Sequence, residues 1–443
     1  MITLKQAAAW CGGKVLPEYE NVAFHGAEND SRKILPGQLF VALKAARDGH
    51  DFIEKALEAG AAGALGERQL PGVPMIVAPD SLSALQQIAA GWRSTLTETR
   101  FIGLTGSVGK TTTKEMTAIA CAALCRTQWT QANFNNEIGV PRTLLDLEPD
   151  TRTAVVEMGM NHAGELSRLT RLVRPDIAVI TNVGTMHIEN LGSREAICRA
   201  KLEILEALAP DGVAVLHGDD DPLRKQPPAC RTLWFGLGPE NDLHAEDLEP
   251  TPEGSTFTAV GFGQRVPVTL PAPGEHNVVN ALAALLAARC AGVPLETGAR
   301  ALANFVNTGD RLRTVRQDGY TVIADCYNAG PESMAAAFTV LRTTPTAGRR
   351  IAVLGDMLEL GDFAPAAHRT VGEQAADAAD LVLAYGPLSR ELTAAAGDKA
   401  LHFDSRDALL EALRAEAKPG DVLLFKGSHG MHLEKVLQDF FME

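Results

Sequence analysis

The sequence predicts an α/β protein of three domains: a small N-terminal α/β domain, a central domain built on a parallel sheet, and a C-terminal Rossmann-like α/β domain. Three observations predict it. From Phe101 onward, near-continuous apolar runs each end in a polar cluster, FIGLTG, TAVVEMGMN, DIAVITNVG and GVAVLHGDD, with helical stretches between them. Strands of a parallel sheet buried on both faces read this way. A second series, TVIADCYN, RIAVLGDM, LVLAYG and DVLLFKGS, begins after residue 306. The length, 443 residues, is that of several ordinary domains, and 46% hydrophobic residues are ample for their cores.

In chain order, MITLKQAAAWCGG reads as a capped helix, with Thr3 as N-cap, Gln6 completing a capping box and Gly12-Gly13 ending it. The turn signal at Pro36-Gly37 in LPGQLFVAL and the helix-like FIEKALEAGAAGAL complete a domain over residues 1–95. The central domain is expected over 96–305. Its alternating stretch GSTFTAVGFGQRVPVTLP predicts an antiparallel extension of the sheet, followed by the helix NVVNALAALLAARCAG, ended by Gly292. The third domain is expected over 306–443. Ligands of open parallel sheets bind beyond the carboxyl ends of the strands, and Thr105-Gly106, Glu157, Thr181-Asn182, Asp325, Asp356 and Lys426 all fall there.

Composition excludes several functions. A net charge of −14 argues against a nucleic-acid coat or a membrane-surface binder, so an anionic substrate must be captured locally. Seven scattered cysteines with no C-x-x-C pair fit neither a disulfide framework nor a zinc site, which points to a reducing cytoplasm. The N-terminus lacks the apolar core of a signal peptide, and no apolar run is long enough to span a membrane. No feature demands a dimer, and the chain reads as a monomer.

In TGSVGKTTT, Gly106 and Gly109 let the amides of Gly106, Ser107, Val108 and Gly109 converge on phosphate oxygens at a helix N-terminus, making the central domain P-loop ATPase-like. Lys110 can reach the β and γ phosphates, Thr111 can place its hydroxyl on Mg2+, and Thr112 continues the motif. The loop is a shortened variant, because Leu104 stands where the general pattern has its first glycine. A ligand-free glycine turn is the bland reading.

Glu157, at the end of AVVEMGMN, emerges at the same sheet edge and can hold Mg2+, or it is a solvated loop acid. His187 in NVGTMHIENLGS is either a second ligand or a structural histidine. Lys201 is more informative. Its helical neighbours Ile197, Cys198, Ile204 and Leu205 place it on an apolar stripe, with no acid at pairing distance. Burial depresses a lysine's pKa, and a neutral amine can take up carbon dioxide to give a carbamate able to bind metal. A lysine snorkelling from the rim of the stripe is the alternative.

These residues resemble the Mur ligase family. The resemblance rests on DSRKILPGQLFVAL and DGHDF in the first domain, TGSVGKTTTKEM, NFNNEIGVP, EMGMNHAGE, TNVGTMHIENLGS, AKLEI and GEHNVVNALAA in the second, and DCYNAGPESM, LGDMLELGD and KGSHGMHLE in the third. It implies an ATP-dependent amide ligase of peptidoglycan precursor synthesis that joins D-alanyl-D-alanine to UDP-N-acetylmuramoyl-tripeptide through an acyl phosphate. By the same resemblance Thr111 and Glu157 hold one Mg2+, His187 and a carbamylated Lys201 another, and Lys110 binds the γ phosphate. Asn280, helped by Asn277, resembles the adenine contact, while Arg311 and Asp325 close over the nucleotide from the third domain. Ser31 and Arg32 resemble UDP contacts, and Asn133, Asn135 and Asn136 resemble the muramoyl-peptide loop. The chain departs from the family pattern at Ala45, Gly330 and His429. Folylpolyglutamate synthase, a related ligase, and an ATP-driven switch protein are the competing readings.

Overall fold

A computed structural model describes residues 1–251, 254–306 and 312–442. Its first helix, Leu4–Cys11, starts at Thr3 with the full capping box and stops at Gly12 in the left-handed region. The strands Ala27–Glu28, Leu39–Val41, Gly63–Gly66 and Met75–Val77 form a parallel four-stranded sheet. One difference from the sequence reading lies here. The helix-like FIEKALEAGAAGAL is helical only over Ile53–Glu58, and its last part is the strand Gly63–Gly66. Gly60, at φ +103°, ends the helix by a conformation that a side chain would resist.

The central sheet has nine strands. Seven are parallel, starting with Thr127–Trp129 at one edge, then Thr153–Glu157, Arg100–Thr105, Ile177–Ile180, Val213–His217 and Thr232–Gly236. Strand Leu243–Thr251 continues this parallel run, and Gly254–Gly261 and Gln264–Leu270 extend it antiparallel, as the alternating pattern of that stretch predicts. Helix Glu275–Cys290 covers one face and buries Val278, Leu282, Leu285 and Leu286 against helix Lys110–Ala122 and the strands beneath. The strand order reverses at Arg100–Thr105, whose neighbours on either side come later in the chain. A crevice opens at such a point. Register pairs Leu104 with Glu157 and Thr105 with Ile180, so Gly106, Glu157 and Thr181 emerge side by side.

A third sheet of six strands has Arg313–Gln317 antiparallel to Tyr320–Asp325, followed by Val422–Lys426, Arg350–Gly355, Leu381–Tyr385 and Ala400–Phe403 in parallel. Asp325 and Lys426 are register partners at its carboxyl edge. Among the described residues no helix is long and apolar enough to cross a membrane.

Candidate active site

The carboxyl edges of the central and third sheets line one cavity of about 750 Å³. The phosphate loop forms its floor. Gly109 adopts φ +80°, and a Cβ there would lie 2.5 Å from Asn280 Oδ1. The loop is held by the neighbouring strand end. Asn182 Oδ1 accepts from Val108 N at 3.0 Å, Thr181 Oγ1 donates to Val108 O at 2.7 Å, and Ser107 Oγ accepts from Gly184 N at 2.9 Å. Lys110 Nζ folds back to donate to Gly106 O at 2.8 Å and Ser107 O at 3.1 Å.

Glu157 is fully buried. Its Oε2 accepts from Thr111 Oγ1 at 2.9 Å, its Oε1 from Asn135 Nδ2 at 2.8 Å, and Thr130 Oγ1 accepts from its backbone amide at 3.0 Å. All these donors are neutral. A buried carboxylate satisfied only by neutral groups keeps most of its desolvation cost, and a hard cation with oxygen ligands would offset it. Among the described residues no cluster of three or more histidines, cysteines or acids stands ready to hold a metal by itself. The fit is to a cation that takes one carboxylate and one hydroxyl and fills its remaining positions from other oxygens, as Mg2+ does with phosphates.

Lys201 is 1% exposed, beneath Ile197, Cys198 and Ile204. Burial pushes its amine well below the usual lysine range, and the nearby Lys110 charge pushes it further. Lys201 therefore sits within electrostatic reach of the phosphate loop, although it does not line the cavity. The snorkelling alternative fails, because the side chain does not reach solvent. His187 does line the cavity, and its Nδ1 lies 2.6 Å from Glu359 Oε2 of the third domain.

The nucleotide candidates Asn277 and Asn280 face the cavity from helix Glu275–Cys290, where Thr113 Oγ1 donates to Asn280 Oδ1 at 3.2 Å and Asn277 Nδ2 donates to Pro273 O at 2.8 Å. Asp325 lines the opposite wall, with Lys426 Nζ at 2.6 Å. Arg311 lies outside the described residues. Asn135 and Asn136 line the cavity, whereas Asn133 donates to Tyr327 Oη at 3.0 Å instead. Asn136 Oδ1 also accepts at 2.9 Å from the amide of Gly139, the first residue of the helix Gly139–Leu145. Ser31 and Arg32 do not line the cavity. Ser31 is buried in the first domain, and Arg32 is exposed and paired with Asp30 at 2.8 Å. Asp356 stays out of the cavity too, accepting from Leu388 N, Ser389 N and Ser389 Oγ.

Sequence reasoning missed several participants. Lys114, fully buried one turn beyond Lys110, donates to Thr130 O at 2.6 Å and so anchors the segment leading to Asn133. Its signal was a lysine on the packed side of the phosphate-loop helix. Glu332 accepts from Thr185 N at 2.8 Å and Thr185 Oγ1 at 3.1 Å, tying the third domain to the central one. His276 is half-buried beside Gly274 with its Nε2 shut off from solvent, and its ring is pushed down to about 4 by that enclosure and by the Lys426 charge.

Comparison with known proteins decides the family. The sequence models named "Mur ligase family, catalytic domain", "Mur ligase middle domain" and "Mur ligase, glutamate ligase domain" match residues 23–93, 104–288 and 310–429. The chain is 41% identical to the UDP-N-acetylmuramoyl-tripeptide–D-alanyl-D-alanine ligase of Bacillus subtilis over 99% of this chain and 98% of that one. The chain belongs to the Mur ligase family. The Escherichia coli ligase of the same name is 36% identical to this Mur ligase, again over 99% and 98% of the two chains. Among solved structures, MurF from Acinetobacter baumannii superposes with a TM-score of 0.90 at 32% identity, covering 100% of this chain and 99% of that one. MurF from Thermotoga maritima in complex with ADP gives 0.81 at 29% identity, covering 94% and 97%. Folylpolyglutamate synthase of Mycobacterium tuberculosis shares the fold, with a TM-score of 0.63 at 18% identity over 82% and 95% of the chains.

Proposed function

We propose that this Mur ligase joins D-alanyl-D-alanine to UDP-N-acetylmuramoyl-tripeptide at the expense of ATP, in cytoplasmic synthesis of peptidoglycan precursors. The observation that carries the reading is Glu157, because its two oxygens link Thr111 of the phosphate loop to Asn135 of the NFNNEIG loop. One buried carboxylate thus ties the nucleotide end of the cavity to the peptide end. Full-length identity to ligases named for this reaction supports the same substrates, and the complex of a MurF with ADP supports ATP as the phosphoryl donor. Seven free thiols fit a reducing compartment.

In this reading the tripeptide's terminal carboxylate attacks the γ phosphorus of ATP. The bond from phosphorus to the bridging oxygen breaks, leaving ADP and an acyl phosphate. The uncharged amine of the dipeptide then attacks the acyl carbon, inorganic phosphate leaves, and the nitrogen sheds a proton as the amide forms. Bringing two anions together is the main electrostatic demand. Lys110 swings from the loop carbonyls to the γ phosphate, and the amides of residues 106–109 cradle the β phosphate. Thr111 and Glu157 would hold one Mg2+, and His187 with the carbamate of Lys201 a second. Their chemistry is to neutralise phosphate charge. Carbamylation needs the neutral amine that burial of Lys201 provides, and it replaces that amine with an anionic oxygen ligand. Asn277 and Asn280 present amides for the adenine edge, and Asp325 approaches the nucleotide from the third domain. Closure of that domain keeps water from the acyl phosphate.

An omission series tests the proposal. Phosphate release is expected only when the UDP-tripeptide, ATP, Mg2+ and D-alanyl-D-alanine are all present. Vigorous ATP hydrolysis without either peptide would instead mark a switch ATPase.

A further inference from the structure

The first domain meets the central domain at a buried ion pair. Arg142, on helix Gly139–Leu145, donates from Nη2 to Glu28 Oε2 at 2.5 Å, and the two side chains are 12% and 7% exposed. The other guanidinium nitrogens grip the same segment, Nε donating to Ala27 O at 3.2 Å and Nη1 to Asn29 Oδ1 at 3.1 Å. From there a chain of bonds runs outward. Glu28 Oε1 accepts the amides of Asn29 at 2.8 Å and Asp30 at 3.0 Å. Asp30 accepts the Arg32 amide at 3.1 Å and its guanidinium at 2.9 and 2.8 Å. On its other side, Arg142 lies over the Phe134 ring, 4.4 Å from the centroid, between Asn133 and Asn135. Its helix follows directly on that loop, with Asn136 Oδ1 accepting from the amide of Gly139.

We infer that Arg142 is a positioning residue that sets the spacing between the two ends of the long UDP-linked substrate. It rests on the reading of Ser31 and Arg32 as UDP contacts and of residues 133–136 as the peptide loop. One planar group hydrogen-bonds to the first loop and stacks on the second, so neither loop can shift without the other. A lysine cannot replace it, having neither the fork of donors nor the flat face. The bland alternative is a bolt that only holds two domains together. A buried ion pair is weak evidence for stability, and removing one partner destabilises in either case, so stability alone does not separate the two. A substrate gripped at both ends binds at full strength only while the two sites keep its spacing, so loosening that spacing raises KM for this substrate alone, which gives the spacing role a kinetic signature.

The test is steady-state kinetics and melting of the full chain, with UDP binding measured by calorimetry. Arg142→Met is expected to raise KM for UDP-N-acetylmuramoyl-tripeptide by about tenfold or more and to lower the melting temperature, while KM for ATP and for the dipeptide stays within about twofold. Arg142→Lys should keep that KM raised. The neutral double variant Glu28→Gln/Arg142→Met keeps the oxygen that accepts the Asn29 and Asp30 amides and leaves no carboxylate without its cation, so it should regain melting temperature and still show the raised KM. Recovery of both in the double variant, or a KM for the UDP substrate within about twofold of normal in Arg142→Met, overturns the proposal. Arg32→Ala separates the two ways of failing. Weakened UDP binding in Arg32→Ala together with a normal KM in Arg142→Met leaves the UDP reading standing and removes the coupling. Unchanged UDP binding in Arg32→Ala removes the reading and the proposal with it.

Discussion

The phosphate-loop region and the seam with the third domain are built by opposite means. Around the loop, Glu157 joins Thr111, Asn135 and Thr130, while Ser107 and Asn182 tie the loop to the neighbouring strand end, all within the central domain, and Glu157 and Thr130 are fully buried. Across the seam the polar contacts are few, beside buried apolar side chains from both domains. Glu332 meets Thr185, and His187 meets a Glu359 whose side chain is 53% exposed. A buried network is costly to disturb, whereas partly exposed pairs contribute little and exchange readily. In the function proposed above, the grip on phosphate is therefore prebuilt, and closure of the third domain over it has only these pairs to exchange.

The largest effect to expect is on the prebuilt side. Lys110→Ala should cut turnover by about 1,000-fold, because a transition-state charge contact in a dry site is worth several kcal/mol. Near-normal turnover would show that the loop does not carry the chemistry. Next is Lys201. Lys201→Arg keeps a long basic side chain but cannot form the carbamate, so a loss of about 100-fold is expected. Lys201→Ala should be equally poor yet partly restored by acetate, which can stand in for the missing carboxylate. Full activity of Lys201→Ala in carbon-dioxide-free buffer would return the lysine to a packing role.

A seam substitution should do much less. Glu332→Gln keeps the shape and weakens two hydrogen bonds from Thr185, so a rise of about three- to tenfold in KM for ATP is expected with little change in melting temperature. A loss as deep as that of Lys110→Ala would erase the contrast between the two regions.

How much of this could be read in advance follows the same division. Strands buried on both faces, the phosphate loop and the stripe around Lys201 are local patterns of composition and spacing, and they were legible. Glu157 was legible too, because an acid at the end of an apolar strand emerges at a predictable edge. Its partner Asn135 and the Glu332–Thr185 contact depend on how distant segments pack, and no periodicity encodes a bond between residues 147 positions apart. Arg142 was invisible for a related reason. In sequence it is one polar residue in a short helix, and only the approach of the first domain gives it Glu28 and Phe134.

The smallest expected effect on turnover concerns His276, whose ring is held at about 4 by burial and the Lys426 charge against an ordinary 6.5. Between these values the unfolded chain binds a proton that the folded chain refuses. Stability from this site is therefore full above about pH 6.5 and falls as pH drops toward 4, by up to about 3 kcal/mol. His276→Phe should flatten that part of a pH–melting profile relative to the parent. An unaltered slope would mean that the ring protonates freely in the folded state.

The account's central claim is that the cavity activates a carboxylate by phosphorylating it. Heavy oxygen placed in the terminal carboxylate of the UDP-tripeptide tests this most directly, through mass analysis of the phosphate released during one round of synthesis. The account predicts one labelled oxygen in each phosphate, carried over when the amine displaces it from the acyl carbon. Phosphate without peptide-derived label would contradict the claim.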